Sequence, residues 1–280
     1  KEALKEAGTD LESLDGIIVA HNFGNIPSGK VQSDVIPSLA SRVKHALGIE
    51  NPNCVAYDIL FGCPGWIQGL IIARNYILAG EGKKFLVIGA EALSRVLDPH
   101  DRDSMIYADG AAATVIEAKD SGGGVLAVAS QTFSKDEAYY LYYDVSYKEK
   151  DRDATRYIKM QGHKIYEFAL NNVPQAMKTC LDKSGIPIDK IKKVLIHQAN
   201  EKMDEAIVKR FYRLYKKQPP EGIMPMSIHK LGNSSVATVP TLLDLIQKGQ
   251  LEGHRLSSGD VILMASVGAG MNINAVLYSV

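Results

Sequence analysis

The 280-residue chain contains only three cysteines, Cys54, Cys63 and Cys180, and their spacing is not that of a zinc site. A small, odd number of cysteines also argues against the disulfide framework that holds many small secreted domains together. The sequence therefore predicts no disulfide scaffold, no metal site and a reducing, cytoplasmic environment.

An excess of charge is absent too, because 32 Lys and Arg residues balance 32 Asp and Glu residues. Such a chain has no overall field that attracts nucleic acid or an anionic membrane surface. No uncharged apolar run reaches the roughly 18 residues of a transmembrane helix, and the polar start KEALKEAGTD is unlike a signal peptide. We therefore expect a soluble protein without nucleic-acid or membrane partners, in which a local patch holds any anionic ligand.

What the chain does contain is a near-repeat. The segment LKEAGTDLESLDGIIVAHN corresponds to LDKSGIPIDKIKKVLIHQAN, since each has a helix closed by glycine, a polar link, an apolar strand and then a histidine, His21 or His197. A second pair of blocks follows, starting at CPGW and at NSSV, and each has a turn, a helix, a Gly-rich link and an apolar strand. The repeat predicts two similar halves, residues 1–120 and 121–280.

The strands are apolar almost throughout, as in FLVIGA and VILMAS, and they alternate with helices. A mostly parallel sheet covered by helices on both faces has this composition, so the predicted fold class is α/β. In the second half, the strands AAATVIEA and GVLAVASQ and a long helix precede the repeated block, whereas the first half opens on the end of such a helix. By this comparison we expect the chain to lack an N-terminal strand and most of a helix.

Between the halves, the segment SKDEAYYLYYDVSYKEKDRDATRYIK has no clean periodicity and carries five of the thirteen tyrosines between Tyr139 and Tyr147. Long irregular segments inside a compact domain are often functional. We interpret this one as an excursion that covers a pocket or a subunit interface, with an ordinary surface loop as the alternative.

Cys63 stands in FGCPGW, where a strand gives way to a helix that is apolar nearly all round from Trp66 to Leu78. Proline suits the first position of a helix, because its missing N–H would have no partner there, so we expect Pro64 to start the helix and Cys63 to cap it. The positive end of the helix then favours thiolate over thiol. Cys63 is therefore the candidate nucleophile, and the alternative is a small buried residue at a turn.

The repeat indicates two partners for Cys63. If a pseudo-twofold axis relates the halves, Asn233 occupies the turn that corresponds to the turn of Cys63, and both lie near the axis. His197 follows a strand directly, and the carboxyl ends of strands border the crevice where open α/β sheets usually bind ligands. We therefore expect these three side chains to meet.

Together, the motifs DILFGCPGW, EALSRVLDPHDRDSMIYADGAAATVI, HQAN, LGNSSVATVP and ASVGAGMN resemble the β-ketoacyl-acyl-carrier-protein synthase III family of the thiolase superfamily. The resemblance implies a layered αβαβα thiolase-like fold and a catalytic triad of Cys63, His197 and Asn233. It implies acyl transfer from acyl-coenzyme A or an acyl carrier protein to Cys63, then decarboxylative condensation with malonyl carrier protein. The backbone N–H groups of Cys63 and Ala269 would hold the oxyanion, and no metal or redox cofactor is implied.

The resemblance also implies a tunnel for a phosphopantetheine arm, a docking site for the carrier protein and a homodimer. Ile36 lies in the region that matches the dimer interface, where the family brings one residue into the partner's acyl pocket. The positions that match the tunnel are Arg102, Gly162, Ala199, Asn200 and Lys202. The basic residues on the helix after HQAN, which suit an acidic carrier protein or simply form a solvated face, are Lys209, Arg210, Arg213, Lys216 and Lys217.

One departure from the family pattern concerns the acyl pocket. The family usually has a small residue and then Gly-Phe after the nucleophile, whereas this chain has Pro64, Gly65 and Trp66, so we expect Trp66 to influence which starter fits. Two alternatives to a fatty-acid synthase stay open: a relative from secondary metabolism with another starter or acceptor, and a non-catalytic subunit that binds acyl chains and a carrier protein. A degradative thiolase does not fit, because ASVGAGMN lacks the second cysteine of that branch.

Overall fold

The structure is a computed structural model that describes residues 1–120, 122–148 and 155–280. Its strands form two four-stranded sheets and one hairpin. The strands are β1 (Gly16–Ala20), β2 (Val55–Ile59), β3 (Lys84–Glu91), β4 (Gly110–Glu117), β5 (Gly124–Thr132), β6 (Leu141–Val145), β7 (Arg156–Met160), β8 (Ile191–Ile196), β9 (Val261–Gly268) and β10 (Asn272–Ser279). The helices are α1 (Glu2–Glu6), α2 (Leu39–Leu47), α3 (Gly65–Ala79), α4 (Gly162–Ser184), α5 (Glu201–Arg213), α6 (Ile228–Leu231) and α7 (Thr238–Gln247).

The two large sheets share a pattern. The first has the order β2-β1-β3-β4, with β1 parallel to β2 and β3 and with β4 antiparallel to β3. The second has the order β5-β10-β9-β8, with β8 parallel to β9 and with β10 antiparallel to β9 and β5. Strands β1, β3 and β4 thus correspond to β8, β9 and β10. The AAATVIEA strand lies in β4 and therefore pairs within the first sheet, whereas GVLAVASQ forms β5 of the second.

The core explains why the strands are apolar on both faces. Ile18 of β1 packs in a cluster with α3, α7 and strands of the second sheet, while its neighbours Ile17 and Val19 pack in a separate cluster with α2. A third cluster joins the second sheet to α4 and α5. The order of layers is therefore α2, the first sheet, α3 with α7, the second sheet, and α4 with α5, because each sheet must bury two apolar faces.

Helix α3 is the central helix that the sequence predicts. Gly80 ends it in the left-handed conformation with φ of 77°, as a glycine after a helix commonly does. Its first helical residue is Gly65 and Pro64 is its N-cap, one residue later than expected, so Cys63 lies just before the cap. None of the helices in the described ranges is long and apolar enough to cross a membrane.

Candidate active site

The turn that carries Cys63 lies against the turn that carries Ala269. A Cβ built on Gly268 would lie 2.3 Å from the backbone nitrogen of Cys63, and one built on Gly62 would lie 2.6 Å from the backbone nitrogen of Ala269. Gly62 also has φ of +64°, which favours glycine. The two backbones can approach this closely only because both positions are glycine. Their contact brings together the two N–H groups expected to bind the oxyanion.

Asn233 occupies a turn of the same kind in the second half. It follows Gly232, whose φ is +66°, as Cys63 follows Gly62. Its backbone N–H donates to Ile106 and its carbonyl accepts from Ala108. The side-chain Oδ1 accepts from the backbone N–H of Ser235 at 2.9 Å. This bond fixes the orientation of the amide and turns its Nδ2 donors the other way.

His197 directly follows β8 and is only 3% exposed. Its Nδ1 lies 2.7 Å from Oγ1 of Thr238, and that hydroxyl lies 3.0 Å from the carbonyl oxygen of Ser235. The Thr238 hydroxyl has one proton, which it can donate either to Nδ1 of His197 or to the carbonyl oxygen of Ser235. Which of the two accepts it determines the tautomer of His197. Burial lowers the pKa of His197 to about 4, so the imidazole is neutral at pH 7.

Ser235 connects the three predicted site residues, and the sequence argument missed it. Its side chain lines the same cavity as that of Cys63, its N–H donates to Oδ1 of Asn233 and its carbonyl oxygen lies 3.0 Å from the Thr238 hydroxyl. Ser235 is buried and has φ of +52°, a conformation that non-glycine residues adopt rarely. Its position two residues after Asn233, inside LGNSSVATVP, is the signal that could have indicated it.

The Cys63 thiol is protonated in the resting protein, contrary to the expectation of a thiolate. Burial raises its pKa to about 11, and the nearby charge of Glu91 acts in the same direction, while the neighbouring Ser235 side chain opposes the shift. The cost of placing a charge in this enclosed site therefore exceeds the stabilisation by the end of α3. Cys63 must lose a proton to another group when it reacts.

Glu91 is a second buried group that the sequence argument did not single out. Its carboxylate, at the end of β3, accepts from the backbone N–H groups of Asn22 and Phe23 and, at 2.6 Å, from Nδ2 of Asn22. Burial raises the pKa of Glu91 and these hydrogen bonds lower it, with burial the larger effect.

A cavity of about 320 Å³ opens beside Cys63. Its lining is mostly apolar and aromatic and consists of Asn22, Phe23, Leu60, Gly62, Cys63, Leu93, Tyr107, Leu141, Tyr142, Tyr143, Ile158, Ser235 and Ala269. Trp66 is absent from this lining, since its side chain is 1% exposed and packs in the central cluster. The contact expected between Trp66 and the acyl group is therefore not found.

The tyrosine-rich segment forms the β6–β7 hairpin, and residues of both strands line the cavity. A buried ion-pair cluster holds the hairpin in place, because Lys159 of β7 donates to Asp98 at 2.5 Å and to Asp101 at 3.1 Å. Lys159 also lies over the ring of Tyr147. The pocket-covering alternative for this segment is thus confirmed for its described residues, and Asp98 and Asp101, the first two of the three aspartates in DPHDRD, explain how the hairpin is attached.

The remaining predicted contacts lie outside this cavity. Ile36 is 85% exposed, and Arg102, Asn200 and Lys202 are also exposed, while Gly162 and Ala199 are half-buried. Lys209, Arg210 and Arg213 project from the exposed face of α5, where Arg210 donates to the carbonyl of Leu170 and the side chain of Asn171. Their roles toward phosphopantetheine, a carrier protein and a second subunit stay predictions.

Comparison with known proteins identifies the family. Residues 57–134 match the model of 3-oxoacyl-[acyl-carrier-protein] synthase III, and residues 181–280 match the model of its C-terminal domain. The β-ketoacyl-[acyl-carrier-protein] synthase III of Aquifex aeolicus is 31% identical over 99% of this chain and 80% of the relative. That of a Synechococcus strain is also 31% identical, over 99% of this chain and 78% of the relative. The chain belongs to the β-ketoacyl-acyl-carrier-protein synthase III family.

Solved structures of this family agree with the layered fold. The 3-oxoacyl-[acyl-carrier-protein] synthase III of Aquifex aeolicus matches all of this chain and 81% of its own, with a TM-score of 0.83 and 30% identity. The priming β-ketosynthase of the R1128 polyketide pathway matches 99% of this chain and 78% of its own, with a TM-score of 0.81 and 25% identity. The predicted thiolase-like α/β fold is confirmed, and the chain is a condensing acyltransferase of the synthase III type.

Proposed function

We propose that this chain catalyses decarboxylative condensation in two steps, with Cys63 as the acyl carrier between them. The observation that supports this most directly is a single network beside an apolar cavity. In it, Ser235 lines the cavity together with Cys63, donates its N–H to Asn233 and reaches His197 through Thr238. A nucleophile, two polar groups and room for an acyl chain are what such a reaction requires.

In the first step, the sulfur of Cys63 attacks the carbonyl carbon of an acyl thioester. The tetrahedral oxyanion forms within reach of the backbone N–H groups of Cys63 and Ala269, which the close contact of Gly62 and Gly268 brings together. The bond to the carrier sulfur then breaks, the carrier leaves as a thiol that carries the proton given up by Cys63, and the acyl chain stays on Cys63 in the adjacent cavity. Coenzyme A or an acyl carrier protein is the donor that the family relationship favours.

In the second step, malonyl carrier protein loses carbon dioxide, and its carbonyl oxygen takes on enolate charge. Neutral His197 would donate through Nε2 to that oxygen, with the Thr238 hydroxyl donating to Nδ1. The amide of Asn233 would donate through Nδ2, since its Oδ1 is already held by the N–H of Ser235. The resulting carbanion attacks the acyl-Cys63 carbonyl, which yields β-ketoacyl carrier protein and frees Cys63.

The cavity favours a starter longer than acetyl. Its volume of about 320 Å³ lies at the lower end of the range of small-molecule pockets, far above what two carbons fill. One wall of the cavity is the β6–β7 hairpin, where Tyr143 is stacked on Phe23 at 5.2 Å between ring centroids. We propose that this stacked pair limits the length of the acyl chain.

Docking of the carrier protein and dimer formation complete the proposal. Lys209, Arg210 and Arg213 present positive charge on one exposed helix face, which suits an acidic carrier protein. Val35 and Ile36 expose large apolar side chains, at 53% and 85%, as residues that pack against a second subunit would in an isolated chain. Both assignments rest on the family relationship for the identity of the partner.

The test offers the purified protein a panel of acyl-coenzyme A starters, with and without malonyl carrier protein. We expect acylation of Cys63 by intact mass and peptide mapping, followed by release of β-ketoacyl carrier protein. Cys63→Ala should lose both signals, while Cys54→Ala, which changes a buried cysteine in the α2 cluster, should keep them. Absence of acylation would support the non-catalytic subunit, and acylation without condensation on malonyl carrier protein would support a different acceptor.

A further inference from the structure

The β6–β7 hairpin forms a wall of the cavity but depends on the rest of the chain for its position. In the described ranges its two strands pair only with each other. A two-stranded hairpin is by itself at best marginally stable in water. Tyr143 and Ile158 lie directly opposite each other on the two strands, and both line the cavity beside Cys63. Contacts between the hairpin and the rest of the chain therefore decide where this wall lies.

One carboxylate binds both strands of the hairpin. Just after β6, the Ser146 hydroxyl donates to Asp98 at 2.9 Å, and the backbone N–H of Tyr147 donates to it at 2.8 Å. From β7, the ammonium of Lys159 donates to Asp98 at 2.5 Å and to Asp101 at 3.1 Å. Asp98 belongs to the segment between β3 and β4, so a single side chain joins both strands of the hairpin to the first half.

The Asp98–Lys159 pair is enclosed. Lys159 is 1% exposed and Asp98 is 0% exposed, and charged side chains are almost never buried in this way unless they are paired. Burial acts to raise the pKa of Asp98, but the hydrogen bonds that it accepts, above all that from Lys159, lower its pKa overall, so the carboxylate is ionised at neutral pH. Displacement of the hairpin would separate two buried charges, and this cost holds the wall in one position.

Lys159 is adjacent in sequence to the cavity wall. Ile158 lines the cavity, and its backbone N–H donates to the carbonyl of Val96 at 3.0 Å. Successive side chains of a strand point to opposite faces, so Ile158 faces the acyl space whereas Lys159 reaches Asp98. We propose that the Asp98–Lys159 pair sets the length of the acyl chain that Cys63 accepts, because it fixes the hairpin as the cavity wall. Both are positioning residues, and this role rests on the proposed acylation of Cys63.

A second cavity indicates the direction of the effect. Its volume is about 550 Å³, and it shares Leu141, Tyr142 and Tyr143 of β6 with the cavity beside Cys63. Strand β6 therefore lies between the two spaces. A shift of this strand would join them, so release of the hairpin should admit longer chains.

The test compares the acylation of Cys63 by butanoyl-coenzyme A and by dodecanoyl-coenzyme A in Lys159→Met. Methionine keeps an unbranched apolar side chain but carries no charge, so the change removes the ion pair and keeps most of the packing. A misfit of one methylene in an apolar pocket commonly changes kcat/KM by about tenfold or more, so the dodecanoyl-to-butanoyl ratio should rise at least about tenfold. A variant that merely destabilised the fold would lower both rates together and leave their ratio unchanged.

Two more variants and a control accompany Lys159→Met. Asp98→Asn combined with Lys159→Met leaves neither charge of the pair, so it takes the place of Lys159→Met if that protein does not fold, and it should give the same shift. Asp101→Asn removes the charge of the more distant partner and should give a smaller shift in the same direction. Lys248→Met, which removes an exposed lysine paired with Asp244, is the matched control and should keep the wild-type ratio.

An unchanged ratio in a folded Lys159→Met or double variant would overturn the inference, as would an equal shift in Lys248→Met. Failure of the proposed function gives a different result, because no starter of either length would then acylate Cys63. Calorimetric titration of the two esters into Cys63→Ala, with and without Lys159→Met, measures how each chain fits the cavity without any acylation. The role of the hairpin and the acylation of Cys63 can therefore fail separately.

Discussion

Two histidines occupy corresponding places in the two halves, yet they have different partners. His21 follows β1 and His197 follows β8, and the backbone N–H of each donates to a neighbouring strand. Nε2 of His21 lies 3.0 Å from a carboxylate, that of Asp58, whereas Nδ1 of His197 lies 2.7 Å from the neutral hydroxyl of Thr238. The repeat therefore predicts where a histidine lies, and its partner decides what the histidine can do.

The partners also indicate different roles for the two histidines, one structural and one chemical. The carboxylate of Asp58 accepts from the backbone N–H groups of Leu39 and Ala40 at the start of α2, so the His21 pair anchors a helix. The hydroxyl of Thr238 reaches the carbonyl of Ser235, so the His197 pair belongs to the Cys63 network. We infer that His21 stabilises the first half and that His197 serves condensation.

The largest expected effect comes from His197→Ala. Removal of one oxyanion donor commonly slows a reaction by about 10²–10³-fold, so decarboxylative condensation should fall by that factor. Acylation of Cys63 should stay within about twofold of wild type, because that step uses the other oxyanion site. Single-turnover assays of acyl-Cys63 formation and of malonyl decarboxylation separate the two. Equal losses in both steps would contradict the division of roles between the halves.

The second effect is the contribution of His197 to the pH dependence of stability. Its folded pKa is lowered from 6.5 to about 4, so between these values the unfolded chain binds more protons than the folded one. The free energy of unfolding should therefore fall as the pH drops from about 6.5 toward about 4, by up to about 3 kcal/mol. Urea unfolding across this range should show a shallower decline in His197→Asn. An unchanged decline would assign the pH dependence to other groups.

The third effect concerns His21. Its replacement by alanine leaves the largely buried Asp58 carboxylate without one partner, so the free energy of unfolding should fall by about 1–3 kcal/mol at neutral pH. The decarboxylation rate of the folded enzyme should change little. His163→Ala, at an exposed histidine whose contact is with Glu167, is the matched control and should leave the urea midpoint in place. A condensation defect in His21→Ala at full stability would remove the contrast between the two histidines.

The smallest effect is expected for Thr238→Val. The change keeps the shape of the side chain but leaves Nδ1 of His197 without its partner, so condensation should slow by about tenfold. Thr238→Ser should restore the rate, because it returns the hydroxyl. The ratio of condensation to acylation is the measurement, since loss of packing alone would lower both rates together or neither.

The halves also agree where their backbones must make the same turn. Gly62 and Gly232 precede Cys63 and Asn233, with φ of +64° and +66°. Both glycines are visible in the sequence, and so are the apolar strands that end beside them, because local patterns encode local conformation. This is why the motifs could predict the α/β fold, the two halves and the elements that carry Cys63, His197 and Asn233. The start of α3 was missed by one residue, since Pro64 serves as the cap.

Other properties of the site came from residues far apart in the chain. Asn22 meets Ser235 across 213 positions, and Glu91 meets Asn22 across 69. The periodicity of a sequence does not reveal contacts between distant residues, so Ser235 and Glu91 were not among the candidate residues. The same reason explains the outcome for Trp66. Its place in the sequence suggested a contact with the acyl pocket, whereas its indole packs in the central core.

The sequence by itself determined the layered α/β fold, the family and the chemical nature of the nucleophile, because these follow from apolar periodicity, glycine turns and motifs. Only the tertiary structure decided the ionisation of that nucleophile and the walls of its cavity. The end of a helix alone favours a thiolate at Cys63, but enclosure of the sulfur between two halves raises its pKa to about 11. The burial of this sulfur depends on elements from the whole chain, so it cannot be read from the local sequence around Cys63.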